Sequence, residues 1–202
     1  MTSQSDILRS SRAGFAALLL VGLLAGCADR NAVRVQDDSL VLGKTTRRDI
    51  IARLGPPYRE SAVIKNEKQI KTASYTRTGE AGDDGIIPSR SEGFYFYDDK
   101  LVGYEYTSSW KGDSTDFDKS KVSQIKRGVS TRAEVVQLLG SPGGKHIYPL
   151  VAKPDEDGVS YLYGQTRSSL FAPITFYQKQ LLITFNKQGI VIDMQYAERG
   201  QR

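Results

Sequence analysis

The sequence predicts an α+β chain of two tandem modules, each a helical hairpin packed on a three- or four-stranded antiparallel sheet. Three observations predict it. A helix signature occurs twice, at a constant offset of 85 residues. Each copy is followed by β-branched and aromatic runs separated by turn residues. The composition is globular, with 39% hydrophobic and 25% charged residues, and 11 Tyr and 7 Phe can fill a core.

The helix signature comes first. Leu42-Gly-Lys-Thr-Thr-Arg-Arg-Asp-Ile-Ile-Ala-Arg-Leu-Gly-Pro-Pro57 aligns without a gap on Arg127-Gly-Val-Ser-Thr-Arg-Ala-Glu-Val-Val-Gln-Leu-Leu-Gly-Ser-Pro142. Thr46 and Thr131 read as N-caps, with Asp49 and Glu134 three residues on as in a capping box. Ile50, Ile51 and Leu54, and Val135, Val136 and Leu139, fall on one helical face. Gly55 and Gly140 are expected to end the helices in αL, and the prolines beyond forbid continuation. A helix this short needs a packing partner.

The partner is a sheet. In the first half the expected strands are 60–64, 73–77, 94–97 and 101–107, with a Gly-rich loop over 78–93 and a turn at Asp98-Asp99-Lys100. In the second half they are 145–151, 160–164, 181–185 and 190–196, with a turn at 186–189. Alternation puts Leu181, Ile183 and Phe185 inward, with Ile190, Ile192, Met194 and Tyr196 inward across the turn. Phe94 and Phe96 are expected to be buried, with Tyr95 and Tyr97 on an open face. The expected organisation is a leader over 1–26, a tether over 27–38, a first module over 39–110, a linker over 111–120 and a second module over 121–197.

The N-terminus reads as an address. Arg9 and Arg12 precede an apolar run of 14 residues from Ala13 to Gly26, which spans about 21 Å as a helix and falls short of a ~30 Å hydrocarbon core. It fits the h-region of a signal peptide. The run ends Leu24-Ala25-Gly26-Cys27, which resembles the bacterial lipobox. That resemblance implies cleavage before Cys27 and a covalent lipid on its thiol. The mature chain would keep 176 residues and a formal charge of +4 (202 − 26, and +5 less the +1 of Arg9, Arg12 and Asp6). Multiple acyl chains suffice for stable anchoring. Ala28 is not the Asp of inner-membrane retention, so the implied location is the inner leaflet of the outer membrane, facing the periplasm.

Two further stretches carry a family resemblance. Residues 122–142, Val-Ser-Gln-Ile-Lys-Arg-Gly-Val-Ser-Thr-Arg-Ala-Glu-Val-Val-Gln-Leu-Leu-Gly-Ser-Pro, and 181–191, Leu-Leu-Ile-Thr-Phe-Asn-Lys-Gln-Gly-Ile-Val, resemble the SmpA/OmlA (BamE-like) outer-membrane lipoprotein family. Residues 40–106 look like a diverged second copy. Tandem modules of this kind are also similar to the β-lactamase-inhibitor-protein fold. The resemblance implies a non-enzymatic scaffold or assembly factor in outer-membrane biogenesis or envelope integrity, with membrane attachment and envelope-protein partners, among them the barrel-assembly machinery. An alternative is an inhibitor or sensor that clasps an envelope enzyme through open sheet faces.

Direct chemical signals are sparse. One Cys forbids an internal disulfide, and one His with one Cys cannot build a zinc site from soft ligands. No cofactor or metal is expected beyond the lipid on Cys27, and a formal charge of +5 does not call for nucleic acid. A nucleophilic hydrolase would have to use His146, which is expected to be an idle, satisfied side chain. The partner-binding residues suggested by rigid aromatic surface are Tyr95, Tyr97, Tyr104, Tyr106 and Trp110. Trp110 is expected first as core or as a plug in the seam between modules, and second as a partner anchor. Lys65, Lys68, Lys71 and Arg77 form a basic strip suited to lipid headgroups or to a solvated edge.

Overall fold

The computed structural model describes Val35, residues 37–169 and residues 172–201. The leader, Leu24, Ala25, Gly26 and Cys27 lie outside the described residues.

Helices α1 (Arg47–Leu54) and α2 (Arg132–Leu139) form where the repeated signature stands, and both capping boxes close. Gly55 and Gly140 end them with φ/ψ of 76°/−169° and 83°/−171°. The expected αL end is therefore replaced by a positive-φ, extended-ψ conformation nearly exclusive to glycine. Each glycine N–H still reaches the carbonyl of Ile51 or Val136.

The expected pair of separate modules is corrected by the sheet. The described residues form one curled antiparallel sheet, with 50% of them in strands against 15% in helices. Its strands are β1 (Arg59–Lys65), β2 (Lys68–Thr78), β3 (Ile86–Ile87), β4 (Ser89–Tyr97), β5 (Lys100–Ser108), β6 (Gly144–Ile147), β7 (Asp157–Ser169), β8 (Ala172–Phe185) and β9 (Val191–Gly200). The order is β1-β2-β4-β5-β6-β7-β8-β9, with β3 also on β7. Two separate sheets would leave β5 and β6 as unpaired edges, an arrangement natural sheets avoid. Instead Gly103–Glu105 pair with Gly144–His146, and Ile86–Ile87 pair with Thr166–Arg167. The helical hairpins are corrected as well. Among the described residues each half carries one α-helix and one 3₁₀ turn, Asp37–Ser39 or Lys119–Gln124. Ile125 leaves the second turn with extended backbone and enters the core, which stops a longer helix there.

The helix-to-hairpin clasp recurs in both halves. Gly43 N–H donates to Leu101 O and Gly128 N–H to Val191 O, both at 2.8 Å. Tyr75 OH donates to Gly55 O and Tyr161 OH to Gly140 O, both at 2.9 Å. Each clasp covers its own apolar cluster on the helical face of the sheet. Ile50, Phe94, Phe96 and Leu101 centre the first, and Val135, Ile183, Phe185 and Val191 the second.

Strand alternation holds where pairing is regular and is interrupted by a bulge beside each of the β4–β5 and β8–β9 turns. Phe94, Phe96, Leu181, Ile183 and Phe185 are buried as their alternation requires. Beyond the second turn, Phe185 pairs with Val191 but Thr184 with Asp193, so Ile192 is the extra residue. Val191 is consequently buried in place of Ile192, which is 36% exposed, while Met194 and Tyr196 keep the inward register opposite Ile183 and Leu181, Tyr196 at 39% exposure. The first half repeats the irregularity, with Phe96 on Leu101 and Tyr95 on Gly103.

The face expected to be open is covered at one end. The anticipated strand 145–151 stops at Ile147, and the chain turns across the sheet. Asn66 Nδ2, in the β1–β2 turn, donates to the carbonyls of Pro149 and Val151 at 3.0 and 2.7 Å. This fixes the loop over β5 and β7, where Leu150 and Val151 meet Gly103 and Gly158.

Candidate protein-contact site

Four side chains from four successive strands meet on the non-helical face, where β5 joins β6. They are Tyr95 on β4, Glu105 on β5, His146 on β6 and Ser160 on β7. Register brings them together, since Gly103 faces His146 and Glu105 faces Gly144, which in turn faces Ser160. Close strand approach explains two glycines. A Cβ at Gly144 would stand 2.4 Å from both Tyr104 O and Ser160 Oγ, and one at Gly103 would stand 2.4 Å from Leu150 Cδ1.

The cluster is tightly satisfied. Tyr95 OH donates to Glu105 Oε2 at 2.7 Å, and the other carboxylate oxygen lies 3.4 Å from His146 Nε2. Ser160 Oγ lies 3.1 Å from the same His146 nitrogen. Burial pushes the Glu105 carboxyl up, but hydrogen bonds and charge from His146, with Tyr95 and Ser160, override it and leave it below the ordinary value. Burial, then the neighbouring Glu105 charge, raises the Tyr95 phenol. Both stay in the forms that hold the network at neutral pH.

The arrangement does not match a nucleophilic triad. A triad base takes its orienting carboxylate on one ring nitrogen and its nucleophile on the other. Here Glu105 and Ser160 both approach Nε2, while the ideal Cβ position of Gly103 lies 2.9 Å from Nδ1. Ser160 is buried. The adjoining cavity of about 180 Å³ is walled by Leu150, Leu162 and Leu182, with Lys65 at its side. The geometry suits a polar pin in a contact surface.

The expected contact residues are dispersed. Tyr95 belongs to the polar cluster, and Tyr97 is half-buried at the end of β4. Tyr104 and Tyr106 are buried at 8% and 3% exposure, Tyr104 in the first apolar cluster and Tyr106 with its hydroxyl on Asp113 at 2.6 Å. Trp110 is half-buried, with the Arg90 guanidinium 4.6 Å from its ring centroid. Sequence reasoning passed over Glu105 and Ser160. The usable signal was Gly143-Gly144 ahead of Lys145-His146, which marks a close strand approach rather than a loop.

A second pin ties the connection between the halves to the sheet. Lys179 on β8 is 3% exposed and lies 2.6 Å from Asp116. Its ammonium also donates to Phe117 O and stands 4.4 Å from the Phe117 ring centroid. Thr115 Oγ1 donates to Leu162 O at 2.6 Å, and Ser108 Oγ to Asp113 at 2.7 Å, so both halves hold this strap.

Residues 115–195 match the family model described as the outer membrane protein assembly factor BamE domain. The match starts in the strap and ends within β9, leaving the first half outside it. No curated protein matches the sequence. Among solved structures the chain is similar to a candidate β-lactamase inhibitor protein from Streptococcus mutans. The identity is 9% and the TM-score 0.42, over 79% of this chain and 91% of that one.

Proposed function

We propose that the chain is a non-enzymatic lipoprotein that works as a scaffold or assembly factor in outer-membrane protein assembly. The observation that carries this reading is the match of residues 115–195 to the BamE domain. The His146 geometry supports a binding role over a hydrolytic one. In this reading the mature chain begins at a lipidated Cys27 and is held on the inner leaflet of the outer membrane. It faces the periplasm and meets envelope proteins, including barrel-assembly subunits. The recurring clasp supports a further reading, that the halves over 39–110 and 121–197 arose by duplication within what is now one sheet.

The test is affinity capture of the intact protein from detergent-solubilised envelopes after mild crosslinking. Barrel-assembly subunits are expected in the eluate, and their absence would overturn the proposal. Recovery of a soluble envelope hydrolase instead would favour the inhibitor alternative. Metabolic labelling with palmitate is expected to mark the wild type and not Cys27→Ala. Label that persisted in the variant would remove the anchor from the proposal.

A further inference from the structure

A groove of about 750 Å³ opens between the loop over 79–85, the strap over 109–116 and β7. Its volume is in the range of small-ligand and side-chain pockets. Ile86, Pro88, Trp110 and Tyr163 give it apolar lining. A Cβ at Gly79 would lie 2.9 Å from Pro88 Cγ and 3.1 Å from Trp110 Cζ2, so glycine lets the backbone pack against the indole edge and fix the ring.

The rim is acidic. Glu80, Asp83 and Asp84 line it, and Lys111 is the one basic residue among the described lining. Lys111 stands 3.7 Å from Asp84 with its side chain 93% exposed, a weak and solvent-screened pairing. Asp116, also in the lining, is already neutralised by Lys179. This local excess of negative charge stands on a chain with a formal charge of +5. Complementarity therefore selects a basic ligand at this spot.

A second observation points to a ligand. Gln165 lines the groove at 4% exposure, and its Oε1 accepts the Tyr163 hydroxyl at 2.9 Å. Its amide nitrogen has no hydrogen-bond partner among the described residues. That nitrogen is open to the groove and can donate to an acceptor from outside the chain.

We propose that the groove binds a basic, apolar-flanked peptide segment of a partner protein. An apolar side chain packs on Trp110 and Pro88, a Lys or Arg meets Glu80 and Asp83, and a peptide carbonyl accepts from Gln165. The proposal does not rest on the assembly reading, because its acidic and Trp residues precede the matched region 115–195.

Trp110 is the chain's single tryptophan, so its emission reports on the groove directly. The full chain, purified in detergent, is titrated with the capped heptapeptide Gly-Lys-Leu-Arg-Leu-Lys-Gly and with its counterpart carrying Glu at the three basic positions. The basic peptide is expected to produce a saturable change that the acidic one does not. Glu80→Gln with Asp83→Asn, both on exposed side chains, is expected to weaken Kd roughly fivefold. Gln165→Leu is expected to weaken it further, and thermal melts of each variant confirm that it is folded. Equal response to the two peptides, no saturation with either, or unchanged Kd in the folded double variant would overturn the proposal.

Discussion

Glu105 and His146 face each other at 3.4 Å across the β5–β6 pair, one of two strand pairings that join the halves of the sheet among the described residues. The contact spans the β5–β6 junction, and its protonation state bears on that junction. The Glu105 carboxyl sits below its ordinary value of 4.5. A depressed carboxylate contributes stability that is fully present above the unfolded value and is lost as pH falls through the folded one. Glu105→Gln is expected to cost about 1–3 kcal/mol at pH 7. The gap to wild type should narrow between about pH 5 and pH 3. Urea unfolding at a series of pH values measures both, and a gap that widened on acidification would refute the sign.

Close approach at the junction gives a sharper steric prediction. Gly144→Ala puts a methyl 2.4 Å from Tyr104 O, a backbone atom with little room to move. The expected cost is about 1–3 kcal/mol or more, as for other overpacked sites. Gly164→Ala, with open space at its Cβ position, is the control and is expected to leave the urea midpoint nearly unchanged.

The two helix caps provide an additive pair. Thr46→Ala and Thr131→Ala each remove a closed capping box, at a cost of about 1 kcal/mol apiece. They belong to different clusters, so the double variant should lose about the sum. Calorimetric melting of the four proteins tests this, and strong non-additivity would mean the caps share a contact.

The buried strap pin should outweigh any surface pair. Lys179→Ala removes the ion pair to solvent-reached Asp116 together with the buried contacts to Phe117, and is expected to destabilise by about 1–3 kcal/mol. Lys187, whose side chain is 67% exposed and 3.6 Å from Asp155, is expected to tolerate alanine with no measurable change. Chemical denaturation of both variants makes the comparison.

What the sequence revealed was local. Thr46 with Asp49, and Thr131 with Glu134, mark helix starts because their hydrogen bonds span three residues. Asp98 and Asp99, both at positive φ, make a two-residue turn, one residue shorter than the expected Asp98-Asp99-Lys100 because Lys100 already pairs with Tyr97. What it hid was non-local or depended on one extra residue. Nothing near Gly103 in the chain announces that His146 will pair with it. A single bulge residue, Ile192, lets Val191 pair with Phe185 while Met194 and Tyr196 still pair with Ile183 and Leu181, and nothing in the local pattern marks which residue is the extra one. At the polar cluster Tyr95 was legible from its alternation with Phe94 and Phe96. Glu105 and Ser160 acquire their partners only through register across strands that are far apart in sequence.

The shared sheet has a consequence for how the protein comes apart. A cut before residue 115, where the family match begins, would strip β5 from β6 and take Glu105 from His146. It would bare a strand edge that the intact chain keeps paired, and such edges recruit other chains. The matched portion is therefore expected to self-associate when made alone. The whole sheet should melt as one cooperative unit, with neither half keeping its structure after the other has opened.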